Sequence, residues 1–221
     1  MLQRQSPQRA RSGALRCNDL SVASSDLPAL PPNLPVPTDD GTTSHLPGVS
    51  LPRIGLSATD GSMVFLDDAG PCERTVVYAY PRTGPPGQRE LTEDWDLIPG
   101  ARGCSLEACS FRDHHEELAR AGANVVGLST QETAGQREAA GRLHLPFRLL
   151  SDGQLRLTRA LRLPTFSAGG HVLLKRFTLI VRGGRIEHVF YPVFPPDAHA
   201  EEVLRWLQAH PIESSARAAG R

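Results

Sequence analysis

Residues 103–129 read GCSLEACSFRDHHEELARAGANVVGLS, and a change of pattern falls inside them. SLEACSFRDHHEELARAG (105–122) reads as a helix, whereas NVVGLS (124–129) is a β-branched run of strand length. Upstream, TVVYAY (75–80) is another β-branched and aromatic run. Strand, helix and strand in that order make a βαβ unit.

The rest of the chain extends this unit. ETAGQREAAGRLH (132–144) reads as a helix, PFRLLSD (146–152) holds a short apolar run that ends at Asp152-Gly153, and QLRLTRALR (154–162) adds a helical turn or two. FTLIV (177–181) and RIEHVFY (185–191) flank Gly183-Gly184 and read as an antiparallel hairpin. DAHAEEVLRWLQAH (197–210) reads as a closing helix, with Asp197 as N-cap after Pro195-Pro196 and with Val203, Leu204 and Leu207 on one face before Pro211. A β-α-β half followed by a β-β-α half predicts a thioredoxin-like α/β fold, a mixed central sheet with helices on both faces.

Length and composition set the limits of this fold. A chain of 221 residues suits one domain, expected over 51–210. Residues 1–50 contain LPALPPNLPVP and many Ser and Thr without either apolar period, which predicts a disordered tail; residues 211–221 are expected to be a second, flexible tail. Four arginines and no acid fall in the first 18 residues, a composition shared by transit peptides and by untargeted tails. The expected location is therefore the cytoplasm, or an organelle if this segment is a transit peptide. Basic and acidic side chains balance at 24 each and are scattered, so no nucleic-acid footprint is visible. The apolar runs fall well short of the ~20 residues of a membrane span, so no membrane partner is expected.

Four cysteines in such a chain do not make a disulfide framework. Cys17 falls in the tail and Cys72 just before the first core strand, and both read as incidental. Cys104 and Cys109 are different, because Cys104 follows a Pro- and Gly-rich loop and opens a helix. Free backbone N–H groups and the helix dipole at that position favour a thiolate. Arg102 and Arg112 add positive charge nearby, although Arg112 reads as a solvated helix-face group. Cys104, Cys109, His114 and His115 also offer four metal ligands, but their spacing is not that of the close C-x2-C pairs typical of structural zinc. Nor is C-x4-C the C-x-x-C of disulfide reductases.

GCSLEACSFRD (103–113) resembles the peroxidatic segment of peroxiredoxins of the bacterioferritin-comigratory-protein type. YPRTG (80–84), LPFRLLSD (145–152) and KRFTLIVRGGRIEHVFY (175–191) resemble that family's strand-end Tyr-Pro, its Leu-Ser-Asp segment and its arginine-bearing hairpin. Together the matches run from about residue 50 to 208.

The resemblance implies a thiol-dependent peroxidase that reduces hydrogen peroxide or organic hydroperoxides. Cys104 would be the peroxidatic cysteine, Cys109 the resolving cysteine, and Arg176 the group that holds the thiolate and polarises the peroxide. The implied reductant is thioredoxin or a similar dithiol, and the implied assembly a monomer or homodimer. No metal, haem or flavin is called for. Two departures stand out. The family usually has threonine three residues before the peroxidatic cysteine, where this chain has Ala101; Thr83 is the alternative source of that hydroxyl. About sixteen residues, GPPGQRELTEDWDLIP (84–99), are inserted before the cysteine loop, and Trp95 among them reads as a loop anchor. Ala101 also keeps a second reading open, a thioredoxin-like redox-signalling or binding module without efficient turnover.

Overall fold

In the computed structural model, residues 29–68, 70 and 73–212 are described. Cys17, Cys72, most of the N-terminal tail and residues 213–221 lie outside them. The elements in chain order are β1 (Gly55–Ala58), β2 (Met63–Phe65), β3 (Arg74–Ala79), α1 (Cys104–Asp113), α2 (His115–Arg120), β4 (Ala123–Ser129), α3 (Thr133–Arg142), β5 (Leu149–Ser151), α4 (Arg156–Leu161), β6 (Thr165–Ala168), β7 (His171–Leu174), β8 (Phe177–Arg182), β9 (Arg185–Phe190) and α5 (His199–Ala209).

The central sheet has the order β2-β1-β5-β4-β3-β8-β9. β3 and β4 run parallel, as do β4 and β5, while β8 lies antiparallel to both β3 and β9. This is the expected mixed sheet of a thioredoxin-like fold. Gly183 and Gly184, with φ of 56° and 69°, form the tight β8–β9 turn, a left-handed pair that non-glycine residues adopt with strain.

Side chains alternate across the sheet. Val76, Tyr78, Val125 and Ile180 meet α1, α2, α3 and α5 through Phe111, Leu118, Ala139, Val203 and Leu207. Val77, Val126, Leu128, Leu179 and Val181 face the other way, onto Leu157 and Leu161 of α4. Burying one such Leu or Phe side chain contributes about 1.5–3 kcal/mol. Gly127 lets the first layer close: a Cβ there would lie 2.5 Å from Leu149 Cδ2 and 2.8 Å from the Tyr78 hydroxyl.

Several expectations are corrected. The ordered domain begins before residue 51, because Leu46 is fully buried in the second core and Asp40 accepts hydrogen bonds from Lys175 Nζ (2.6 Å) and the Tyr191 hydroxyl (2.9 Å). The helix expected over 105–122 starts at Cys104 and breaks at His114, whose φ and ψ of −96° and 7° leave the helical range. Asp197 does not cap α5; it sits inside a 3-10 turn, Pro196–Ala198, that leads into that helix. The β6–β7 hairpin forms a separate two-stranded sheet that sequence patterning did not suggest.

Candidate active site

The cysteine loop lies beyond the C-terminal end of β3. Gly103 precedes α1 with φ 99° and ψ 10°. A Cβ on it would fall 2.5 Å from Pro196 Cγ and 3.1 Å from Leu30 Cδ2, so backbone and space both demand glycine. Cys104 takes the first helical position, is 3% exposed, and its Sγ donates to the Ala101 carbonyl at 3.5 Å.

Arg176, the residue before β8, reaches this sulfur. Its Nη2 lies 3.2 Å from Cys104 Sγ and also donates to the Gly100 and Arg102 carbonyls at 3.2 and 3.1 Å. Its Nη1 pairs with Glu107, whose side chain is fully buried. Glu107 follows Cys104 by three residues and so shares its helix face. Burial pushes the Glu107 carboxyl up, against the Arg176 guanidinium and then His199. His199 is itself buried, with Nε2 2.8 Å from Thr178 Oγ1.

Burial likewise pushes the Cys104 thiol up, opposite to the lowering expected from sequence. The Arg176 charge and a hydrogen bond from the Arg82 backbone amide pull the other way, while Glu107 adds to the rise. Arg176 and the Arg82 amide, the two groups that pull the thiol down, both come from outside α1.

Cys109 is also buried, in the core cluster that holds Cys104 and the stacked rings of Tyr78 and Phe111, whose centroids are 4.6 Å apart. Burial raises its thiol too, opposed first by Arg112. Five helical residues rise about 7.5 Å and turn about 140°, which separates the two Cα atoms by about 8–9 Å. A disulfide spans at most about 7 Å.

The remaining candidates fall in different places. Arg102 turns to the insertion, pairing with Glu90 and, at 3.2 Å, with Asp96. Arg112 is not a solvated surface group: its side chain is 12% exposed and its Nη1 donates to the Leu143 carbonyl at 2.8 Å. The Thr83 amide donates to Gln131 Oε1 at 2.8 Å and its hydroxyl lies 3.4 Å from the same oxygen. His114 Nδ1 lies 2.9 Å from the Ser110 carbonyl and the His115 ring packs on Phe147, so the four candidate metal ligands are not gathered on one centre. Trp95 is 3% exposed and anchors the insertion, packing with Ala101, Ala168 and Leu173. A cavity of about 530 Å³ opens at the C-terminal ends of the parallel strands, lined by Arg82, Leu91, Gln131, His171 and Val172 among others.

Sequence reasoning missed Glu107, Gln131 and the Arg82 amide. Glu107 had one available signal: a carboxylate three residues after Cys104, on the helix face that carries it.

The family profile described as Redoxin matches residues 46–204. Peroxiredoxin Bcp of Escherichia coli (strain K12) is 30% identical over 167 residues, 74% of this chain and 96% of that protein. A protein named "Peroxiredoxin Q, chloroplastic" from Oryza sativa subsp. japonica is 29% identical over 220 residues, covering 94% of this chain and 91% of its own length. Among solved structures, peroxidoxin BcpB from Mycobacterium tuberculosis superposes with a TM-score of 0.60 at 26% identity, over 75% of this chain and 99% of that one.

Proposed function

This chain belongs to the redoxin family, as a peroxiredoxin of the Q and bacterioferritin-comigratory type, and from that premise we propose that Cys104 is the thiol that meets the peroxide. The observation that carries the proposal is the buried Arg176 Nη2 at 3.2 Å from Cys104 Sγ. A guanidinium there stabilises the thiolate and then the negative charge growing on the departing oxygen. The thiolate attacks the terminal peroxide oxygen, an S–O bond forms as the O–O bond breaks, and the leaving oxygen takes up a proton. Cys104 becomes a sulfenic acid, and water or an alcohol is released.

Cys109 then resolves it. Its thiolate attacks the sulfenyl sulfur, an S–S bond forms and water leaves. Since the folded helix holds the two Cα atoms about 8–9 Å apart, the first turns of α1 unwind in this step. Thioredoxin or a similar dithiol restores both thiols by exchange. Arg82 gives the Cys104 sulfur its amide and also lines the cavity, which offers room for the organic part of a hydroperoxide. Thr83 is assigned a lesser role, as a hydroxyl near the sulfur once its contact with Gln131 opens.

The cycle needs one chain, which fits a monomer or homodimer, and no metal, haem or flavin. No helix among the described residues is long and apolar enough to cross a membrane; we place the protein in the cytoplasm, or in an organelle if its N-terminus is a transit peptide. The test is peroxide consumption coupled to thioredoxin, thioredoxin reductase and NADPH. Wild type should turn over and Cys104→Ser should not; equal rates would refute the assignment.

A further inference from the structure

The loop that presents Cys104 is fastened to the insertion by contacts that peroxide attack does not use. Trp95 lies in a 3-10 turn, Trp95–Leu97, and packs on Ala101 with Ala168, Leu173 and the half-buried Phe166. The Ala101 amide donates to the Ile98 carbonyl at 3.1 Å. Arg102 projects its guanidinium onto Glu90 and Asp96. On its far side the insertion rests on the turn of the β6–β7 hairpin, where a Cβ on Gly169 would stand 2.9 Å from the Leu91 carbonyl. Residues 101 and 102 therefore join the cysteine loop to a small folded layer with a core of its own.

The two chemical steps load these contacts differently. Attack on peroxide takes place with the loop and α1 folded, because Arg176 reaches the sulfur only in that arrangement. Resolution requires α1 to unwind from its N-terminal end, and the loop leading into it must release Trp95, Glu90 and Asp96 or strain against them. Contacts present in the folded state and lost at the barrier slow the step that crosses it. While the sulfenate waits, a second peroxide competes: the sulfenate sulfur attacks the peroxide, a second S–O bond forms, the O–O bond breaks, and an alcohol or water leaves with Cys104 as sulfinic acid.

We propose that the 84–99 insertion, acting through the positioning residues Trp95 and Arg102, clamps the cysteine loop, slows resolution by Cys109 and makes Cys104 a site of sulfinic acid formation under excess peroxide. The inference rests on Cys104 and Cys109 being the peroxidatic and resolving thiols.

The full chain is reduced, mixed with hydrogen peroxide, and followed by stopped-flow fluorescence for the disulfide and by intact mass for sulfinic acid. Arg102→Gln and the double variant Glu90→Gln/Asp96→Asn cut the same ion pairs from opposite sides. Partly exposed pairs of this kind are worth up to about 1 kcal/mol, so both variants should speed disulfide formation by about 2- to 5-fold. The peroxide concentration that half-converts Cys104 to sulfinic acid should rise in proportion, and the rate of the first peroxide attack should stay within about twofold, a split that a general loss of stability would not give. Trp95→Ala should shift both readouts further in the same direction.

A wild type that forms only disulfide under large peroxide excess overturns the clamp, as do unchanged resolution rates in both ion-pair variants. Trapping with dimedone separates the levels: a Cys104 sulfenate with unaltered resolution removes the clamp alone, whereas no sulfenate at Cys104 removes the peroxidase assignment and the clamp with it.

Discussion

Cys104 and Cys109 are carried by one ten-residue helix and lie in one core cluster, yet their polar neighbours differ. Burial raises both thiols. Around Cys104, however, the protein has invested charge: a guanidinium in contact with the sulfur, a carboxylate to hold that guanidinium, and the Arg82 backbone amide from the loop after β3. Cys109 shares that core cluster, and the charges that act on its thiol are those of Arg112, Asp113 and Arg142. The difference lies in groups delivered to Cys104 from outside its own helix. On the proposed assignment these groups single out Cys104 as the nucleophile and leave Cys109 to act only after the helix opens.

The largest expected effect tests that division directly. Cys104→Ser should reduce peroxide consumption to background, while Cys109→Ser should keep the first peroxide reduction at near wild-type rate and lose thioredoxin-dependent cycling. Preferential dimedone labelling of Cys109 in the wild type after peroxide would reverse the comparison.

Arg176→Ala comes next. Losing one donor to a developing oxyanion lowers a rate by about 10²- to 10³-fold, so the second-order rate with hydrogen peroxide should fall by at least about 10²-fold. The same change strands Glu107 in the core, and an uncompensated buried charge destabilises by about 3–5 kcal/mol. Arg176→Ala/Glu107→Gln should recover most of that stability without recovering the rate. If the double variant regains both, the effect of Arg176 on rate was only structural.

A smaller effect appears in the pH profile. The thiolate is the reacting species and burial holds the Cys104 thiol above its ordinary value, so the attack rate should climb through neutrality and level off only above the usual thiol range. Glu107 contributes to that rise, so Glu107→Gln should move the profile to lower pH, whereas Arg176→Ala should move it higher. The stability linkage has the matching sign. A thiol raised in the folded state favours folding below the unfolded thiol value, and this contribution is lost as pH climbs through the folded value. A Glu107→Gln profile shifted upward would mean that its carboxylate does not act on this sulfur.

Much of the frame was legible because the signals are local. TVVYAY, NVVGLS and FTLIV-GG-RIEHVFY carry their strand character in consecutive residues, and each matches an observed strand within a residue or two. What escaped depends on partners far along the chain. β1, β2, β6 and β7 have three or four residues each and gain strand geometry from pairing rather than from an apolar period. Residues 39–50 read as tail because nothing local reveals that Asp40 meets Lys175 or that Leu46 enters the core. Within the site, Cys104 was singled out by its place at a helix start, while its role and that of Arg176 were named on resemblance. A buried Glu107 makes no sense until Arg176, 69 residues later, is placed beside it. The insertion looked like a loop to be anchored, and Trp95 does anchor it; its ties to residues 101 and 102 are visible only in three dimensions.

The smallest effect concerns how far the unwinding spreads, and it follows from the break at His114. The His114 amide and ring nitrogen both meet the Ser110 carbonyl, at 3.1 and 2.9 Å, and close α1 as a unit distinct from α2. α2 packs chiefly on β4, whereas α1 packs chiefly on α5 and the 3-10 turn Pro196–Ala198, although both helices feed the same core. Local unfolding moves in contiguous cooperative units, and elements with separate packing open separately. When peroxide has converted the pair to a Cys104–Cys109 disulfide, amides across 104–112 should exchange faster than in the reduced protein, and those of 115–120 should keep their reduced-state protection. Hydrogen exchange read by peptide mass on the two forms makes the comparison. Equal acceleration in both segments would mean that α1 and α2 open together, and the resolving thiol would then be released by a wider unfolding than the geometry of one helix requires.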